Sequence, residues 1–210
     1  MLAGRDGGGR VDQRFEYTFG DGSCASGMTL LMVAMALGYE ELAEALLRRG
    51  ADVSLHASDG STALGLAAAN GHEKLVELAL RHGAEIDQRS RDGMTALIQA
   101  SGGGHERVVD ALIRHGAKID LQDSKGSTAL MFAAHYGHPA VVLRLLRAGA
   151  DMTLRTSGGR TALQIATKAG RTECVDAFRT YLGELGAARS KAPSAEAGGA
   201  QAGGEDASEA

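Results

Sequence analysis

The chain has 210 residues, of which 44% are apolar and 23% are charged, as is ordinary for a soluble globular protein. Its formal net charge of −4 argues against a general nucleic-acid binder, which would carry a strong basic excess. No apolar run is long enough to span a membrane, and the first residues lack the pattern of a secretory signal. Two cysteines, Cys24 and Cys174, make neither a disulfide framework nor a zinc site. We therefore expect a cytoplasmic protein, with the nucleus as the alternative.

The N-terminal part of the chain divides into two predicted segments. Residues 1–10 are rich in glycine and are predicted to be disordered. In residues 11–25, Phe15, Tyr17 and Phe19 alternate at the period of a β-strand. The stretch that follows, residues 28–37, is apolar on nearly all sides and must be covered. We expect residues 11–25 to fold over it; the alternative is a partner protein, because a large exposed apolar patch marks an interface.

From residue 26 onward the sequence repeats every 33 positions without an insertion. One glycine column begins each copy, and threonine, leucine, alanine and a second glycine follow it at constant spacing. The predicted repeats are 26–58, 59–91, 92–124, 125–157 and 158–183, within a domain of residues 26–185. The first glycine column consists of Gly27, Gly60, Gly93, Gly126 and Gly159. Such a period is typical of a stacked repeat protein.

Each column of the repeat has a physical interpretation. The threonine, for example Thr62, stands where the N-cap of a helix is needed. The apolar residues after it share one helical face, and Gly71 ends that helix in the left-handed conformation. A second helix follows over residues 73–81, and polar residues lead to the next copy. One such helix pair cannot bury its own apolar face, so neighbouring pairs must stack.

The repeat units resemble ankyrin repeats. The resemblance rests on segments such as Asp59-Gly-Ser-Thr-Ala-Leu and Asn70-Gly-His, and it covers about residues 26–183. One departure is consistent: the usual Thr-Pro-Leu-His of the family is Thr-Ala-Leu followed by Gly65, Ile98, Met131 or Gln164. The resemblance implies an all-α solenoid of helix-turn-helix units joined by hairpin-like turns.

The C-terminal end of the repeat array differs from its middle. In the last copy Arg179 replaces the apolar residue of the earlier copies, which predicts a wetted face and the end of the stack. Residues 186–210 contain no leucine, isoleucine, valine or aromatic residue, and they are predicted to be disordered. This acidic tail is interpreted as a solubilising terminus, with an interaction element as the alternative.

A search for catalytic or metal-binding patterns finds no support for an enzyme. Five of the seven histidines recur at the repeat period and are interpreted as structural, and neither His-Glu pair is completed to a zinc motif. Cys174 occupies an apolar column and is interpreted as a core residue. No phosphate-binding loop is present. We predict no catalytic residue, no metal and no cofactor.

The resemblance implies a protein-binding module whose concave face consists of hairpin tips and the ends of the first helices. Basic residues outnumber acidic ones at the tips of repeats three to five, which favours an acidic peptide or protein partner; the alternative is that these tips are simply charged and solvated. The net charge and the lack of a long apolar run predict no nucleic-acid or membrane partner. Tyr136 beside Gly102 and Gly103 is a candidate hot spot, whereas Phe132 is assigned to the core. The expected partner-binding residues are Arg89, Arg91, Asp92, Met94, Gln122, Lys125, His135, Tyr136, Arg155, Arg160 and Lys168.

Three functions are weighed on this basis. An adaptor or scaffold that binds a partner protein is favoured over a stand-alone inhibitor that docks on an enzyme and blocks it. An enzyme with an unrecognised site is the remote alternative. The array is expected to be a monomer, and rigid docking of its preformed tips would cost little ordering entropy.

Overall fold

The computed structural model describes residues 11–18, 22 and 24–191, with side chains as far as residue 187. The disorder predicted for residues 1–10 and for residues 192–210 concerns segments outside the described residues, as does Phe19. Within that range an antiparallel hairpin of β1 (Phe15–Thr18) and β2 (Cys24–Met28) precedes ten helices. Phe15 lies opposite Met28, and Tyr17 lies opposite Ala25.

The helices follow one another in pairs, each pair made of a first and a second helix. The first helices are α1 (Leu30–Leu37), α3 (Ala63–Ala69), α5 (Ala96–Gly103), α7 (Ala129–Tyr136) and α9 (Ala162–Lys168). The second helices are α2 (Glu40–Arg48), α4 (Glu73–Arg81), α6 (Glu106–Arg114), α8 (Pro139–Arg147) and α10 (Thr172–Lys191). Each first helix packs on the next first helix, and each second helix packs on the next second helix. The predicted all-α repeat solenoid is confirmed.

Local chemistry explains why every first helix begins at the same place. The threonine before each helix has an extended backbone, and its Oγ1 accepts a hydrogen bond from the backbone N–H three residues later. In α9 the cap becomes a full capping box, because the Gln164 side chain also accepts from the Thr161 backbone N–H. Gly137 ends α7 at φ 85°, a conformation that side chains with a Cβ adopt only at a cost.

A continuous apolar core runs along the stack between the two rows of helices. The leucine column supplies Leu64, Leu97 and Leu130 from the first helices, each at most 2% exposed. Alanines of the first helices, such as Ala67 and Ala100, are fully buried and let neighbouring helices approach closely. The core is therefore shared between repeats, so no repeat keeps it without its neighbours.

The hairpin tips between repeats form a ladder of backbone hydrogen bonds. Ser58 N–H donates to the carbonyl of Ser26 at 2.9 Å, and the same link recurs at 33-residue steps. Its later members join Arg91 to Asp59, Ser124 to Asp92 and Ser157 to Lys125. The tips are thus held at a fixed distance from one another by main-chain contacts.

The N-terminal segment replaces a preceding repeat. Val11, Phe15 and Tyr17 are partly buried and pack against the core. The Asp12 carboxylate accepts from the backbone N–H of Asp52 at 3.1 Å, as Asp87 and Asp120 do for the repeats that follow them. The cover is partial, since four large apolar side chains at this end stay exposed: Leu30, Leu37, Tyr39 and Leu42.

The C-terminal helix α10 is longer than the sequence predicts. Disorder was expected from residue 186, but α10 continues to Lys191. Two alanines after Gly186 favour a helix, and Glu184 on the preceding turn pairs with Arg147 of α8 at 2.6 Å. This ion pair ties the extension to the stack. Arg179 is exposed, in keeping with the polar end of the array.

Candidate functional site

A groove lies between the first helices of the fourth and fifth repeats. One part of it, here called the aromatic pocket, has a volume of about 200 Å³ between α7, α9 and the hairpin before α9. The pocket is lined by Ser127, Met131, Phe132, His135, Tyr136, Thr156, Arg160 and Ile165. The rings of Phe132 and Tyr136 both come from α7, and no other first helix carries phenylalanine or tyrosine.

Helix periodicity explains how α7 presents these rings. Ala133 and Ala134 are fully buried toward the neighbouring helices, so Phe132, His135 and Tyr136 occupy the remaining face. Tyr136 is 52% exposed, and its ring meets His135 edge to face with centroids 4.9 Å apart. A half-exposed aromatic side chain held by a neighbouring ring offers apolar area with little rotamer entropy to lose.

Of the two glycines predicted to leave a notch beside Tyr136, only Gly102 faces the rings of α7; the space at Gly103 is taken by the His105 ring, whose Nε2 lies 2.5 Å from the position of a Cβ. A Cβ on Gly102 of α5 would lie 3.4 Å from Phe132 Cδ1 and 3.7 Å from Tyr136 Cδ2. Both rings therefore lie against a glycine surface of the preceding repeat. The assignment of Phe132 to the core alone was incomplete, because this side chain packs on the core and also lines the groove.

The groove continues into a second part, here called the cationic pocket. It encloses about 220 Å³ and is lined by His135, Arg160, Ile165, Lys168 and Ala169. No acidic side chain of the described residues lines either pocket. Arg160 and Lys168 are exposed, and neither takes part in an ion pair within the described part of the chain. Their charges are therefore uncompensated locally.

Four of the expected partner-binding side chains donate hydrogen bonds to backbone carbonyls of the hairpins. Arg89 donates to the carbonyl of Gln122, and Arg91 donates to the carbonyl of Ser58. Gln122 Nε2 donates to Arg155 O at 3.1 Å, while Arg155 Nη1 donates to Gly159 O at 2.8 Å. Arg89, Arg91 and Gln122 thereby reinforce the ladder between repeats, a role that the sequence analysis missed.

The remaining expected residues lie on the hairpins of the third and fourth repeats, outside the groove. Asp92 and Lys125 are exposed, whereas Met94 is partly buried and packs against the core. The nearby Asp123 carboxylate accepts from the backbone N–H groups of Lys125 and Ser127, so it closes a local turn. The structure brings His135, Tyr136, Arg160 and Lys168 together at the groove, whereas Asp92, Met94 and Lys125 do not line either pocket.

The histidines of the repeat and Cys174, the residue types most often used in catalysis or metal binding, have contacts typical of structural residues. Nε2 of His138 lies 2.9 Å from the carbonyl of Gly102 in the preceding repeat and must donate to it. His72 and His105 likewise contact the carbonyls of Ala36 and Ala69 in the repeats that precede them. Burial raises the pKa of the Cys174 thiol. In the described residues, no three histidine, cysteine or acidic side chains gather as a metal site would need. None of the described helices combines the length and apolarity that a membrane crossing requires.

The comparison with protein families agrees with this architecture. A family model described as ankyrin repeats (3 copies) matches residues 30–123 and again residues 104–184. Together the two matches span most of the chain, and the protein belongs to the ankyrin-repeat family. A search of curated proteins gives no match to this chain.

Proposed function

We propose that this protein is an adaptor or scaffold that binds an acidic segment of a partner protein in the groove between α7 and α9. Ankyrin repeats generally serve as protein–protein interaction modules. The observation that carries the proposal is the uncompensated charge of Arg160 and Lys168 beside the exposed ring of Tyr136. Aromatic side chains and arginine are the residue types that most often dominate binding energy.

The rigidity of the groove supports the same function. α7 and α9 are fixed at their starts by threonine caps, and the hairpin between the last two repeats is held by Ser157 N–H donating to Lys125 O at 2.9 Å. A preformed site loses little conformational entropy on binding. Positive charge without local partners also accelerates the approach of an acidic ligand.

Affinity capture with matched variants tests this function. Tyr136→Ala should reduce the binding free energy of a captured partner by about 2 kcal/mol, which is roughly a 30-fold loss of affinity. Tyr39→Ala is the control, because Tyr39 is 54% exposed but lies at the opposite end of the stack. A partner whose affinity changes less than threefold on Tyr136→Ala would contradict the proposal.

The inhibitor alternative uses the same surface and differs in its consequence. A partner that is an enzyme would lose activity on binding if the protein blocks it, whereas an adaptor leaves the activity of its partner intact. Measuring the activity of the captured partner with and without a saturating amount of the protein separates the two functions.

A further inference from the structure

We propose that the groove recognises a short linear motif in which a bulky apolar side chain lies two positions from an aspartate or glutamate. This inference rests on the proposed function and specifies its ligand. The aromatic pocket would take the apolar side chain, and the cationic pocket would take the carboxylate.

The connection between the two pockets sets the spacing of the motif. His135, Arg160 and Ile165 line both pockets, so the pockets adjoin without a wall between them. In an extended peptide, side chains on the same side are two positions and roughly 7 Å apart. A ligand can therefore fill both pockets only when its apolar and acidic side chains are close neighbours in sequence.

The apolar requirement follows from the lining of the aromatic pocket. Met131, Phe132 and Ile165 form its apolar surface, and Tyr136 extends that surface outward. A volume of about 200 Å³ has room for one large side chain. A small ligand residue such as alanine would leave this apolar surface wet and would gain little from burial.

The surroundings of the cationic pocket favour a carboxylate over a phosphate group. Arg160 provides a guanidinium, which can bind either group with two parallel hydrogen bonds, so the choice between them depends on the surrounding charges. Lys168 is the last residue of α9, and His135 lies in the last turn of α7. The C-terminal ends of helices carry partial negative charge, which opposes a dianion more strongly than a single negative charge. The local backbone donors are also in use, since Ala169 N–H donates to Ile165 O.

Selection from a displayed library of random 12-residue peptides on the full chain tests the inference. We expect enriched peptides to place aspartate or glutamate two positions from leucine, phenylalanine or another bulky apolar residue. In a synthetic copy of an enriched peptide, changing the acidic residue to its amide should weaken binding at least tenfold on the wild type. The same change should weaken binding less than threefold on Arg160→Gln. Arg107→Gln is the control, since Arg107 is an exposed cation on α6 away from the groove.

The outcomes separate the inference from the function beneath it. One outcome is a peptide that binds the Tyr136→Ala variant more weakly and yet binds the wild type equally well with and without its acidic residue. This result would overturn the motif and leave the groove as the binding site. Peptides indifferent to both Tyr136→Ala and Arg160→Gln, or no enriched peptide at all, would count against the motif and the proposed function together. If a peptide with phosphoserine in place of the acidic residue binds tenfold more tightly than the original peptide, the choice of a carboxylate is refuted.

Discussion

Replacing Ser101 by alanine is expected to stabilise the protein. Ser101 lies on α5 with a fully buried side chain, and within the described part of the chain its hydroxyl has no hydrogen-bond partner. The equivalent positions of the neighbouring repeats are Ala68 and Ala134, both fully buried. The backbone and the packing at this position therefore accept alanine without rearrangement.

The size of the effect follows from three contributions. A buried hydroxyl without a partner costs about 1–3 kcal/mol. Alanine is also a better helix former than serine by about 0.5 kcal/mol. The void left by the lost oxygen removes a few dispersion contacts of about 0.1–0.2 kcal/mol each. The net gain is about 1.5 kcal/mol, which should raise the unfolding midpoint by roughly 3–6 °C in a domain of this size.

Urea and thermal unfolding followed by circular dichroism measure this effect. Ser157→Ala is the matched control, because the exposed Ser157 hydroxyl donates to Lys125 O at 2.8 Å. That variant should lose about 0.5–1 kcal/mol, the ordinary net value of one hydrogen bond. An urea midpoint for Ser101→Ala equal to or below that of the wild type would refute the reasoning.

Three further outcomes are expected from other parts of the stack. Gly60→Ala should destabilise more than Gly116→Ala: both glycines have φ above +80°, but a Cβ on Gly60 would collide with the backbone of the next hairpin, whereas Gly116 faces open space. Equal losses of unfolding free energy would contradict this. The Arg147 guanidinium lowers the pKa of Glu184, so the ion pair stabilises α10 above the ordinary glutamate pKa and is lost as the pH falls through the lowered value. Arg147→Gln should return the pKa of Glu184 to its ordinary value in a carboxyl NMR titration, and an unchanged pKa would contradict the assignment. Because burial raises the pKa of Cys174, a thiol reagent should modify this residue only on unfolding; rapid modification of both cysteines in the folded protein would contradict this.

The repeat period made the helices and their caps predictable from the sequence. Columns such as Thr62 and Gly71 fix the backbone conformation locally, and five copies of each column leave little ambiguity. The bare surface at Gly102 was also predictable from its missing side chain, although at Gly103 the His105 ring takes up the equivalent space. Local signals of this kind do not depend on contacts between distant residues.

The hydrogen-bond partners of long side chains were not predictable in the same way. Arg89 and Gln122 looked like free surface groups, but each finds a backbone carbonyl on a hairpin 33 residues away. A flexible side chain chooses among several acceptors, and only the relative placement of neighbouring repeats decides between them. The extension of α10 depends similarly on Glu184 meeting Arg147 across two helices.

The hairpin of β1 and β2 determines where this array can grow. Asp12 accepts from the backbone N–H of Asp52, and Arg14 donates to the carbonyl of His56. These are a donor and an acceptor that an upstream unit would otherwise engage. A duplicated block of 33 residues placed inside the array would preserve every junction and both termini. The same block placed ahead of Met28 would displace the hairpin. Changes in the number of units, by evolution or by protein engineering, are therefore directed to the interior of the chain.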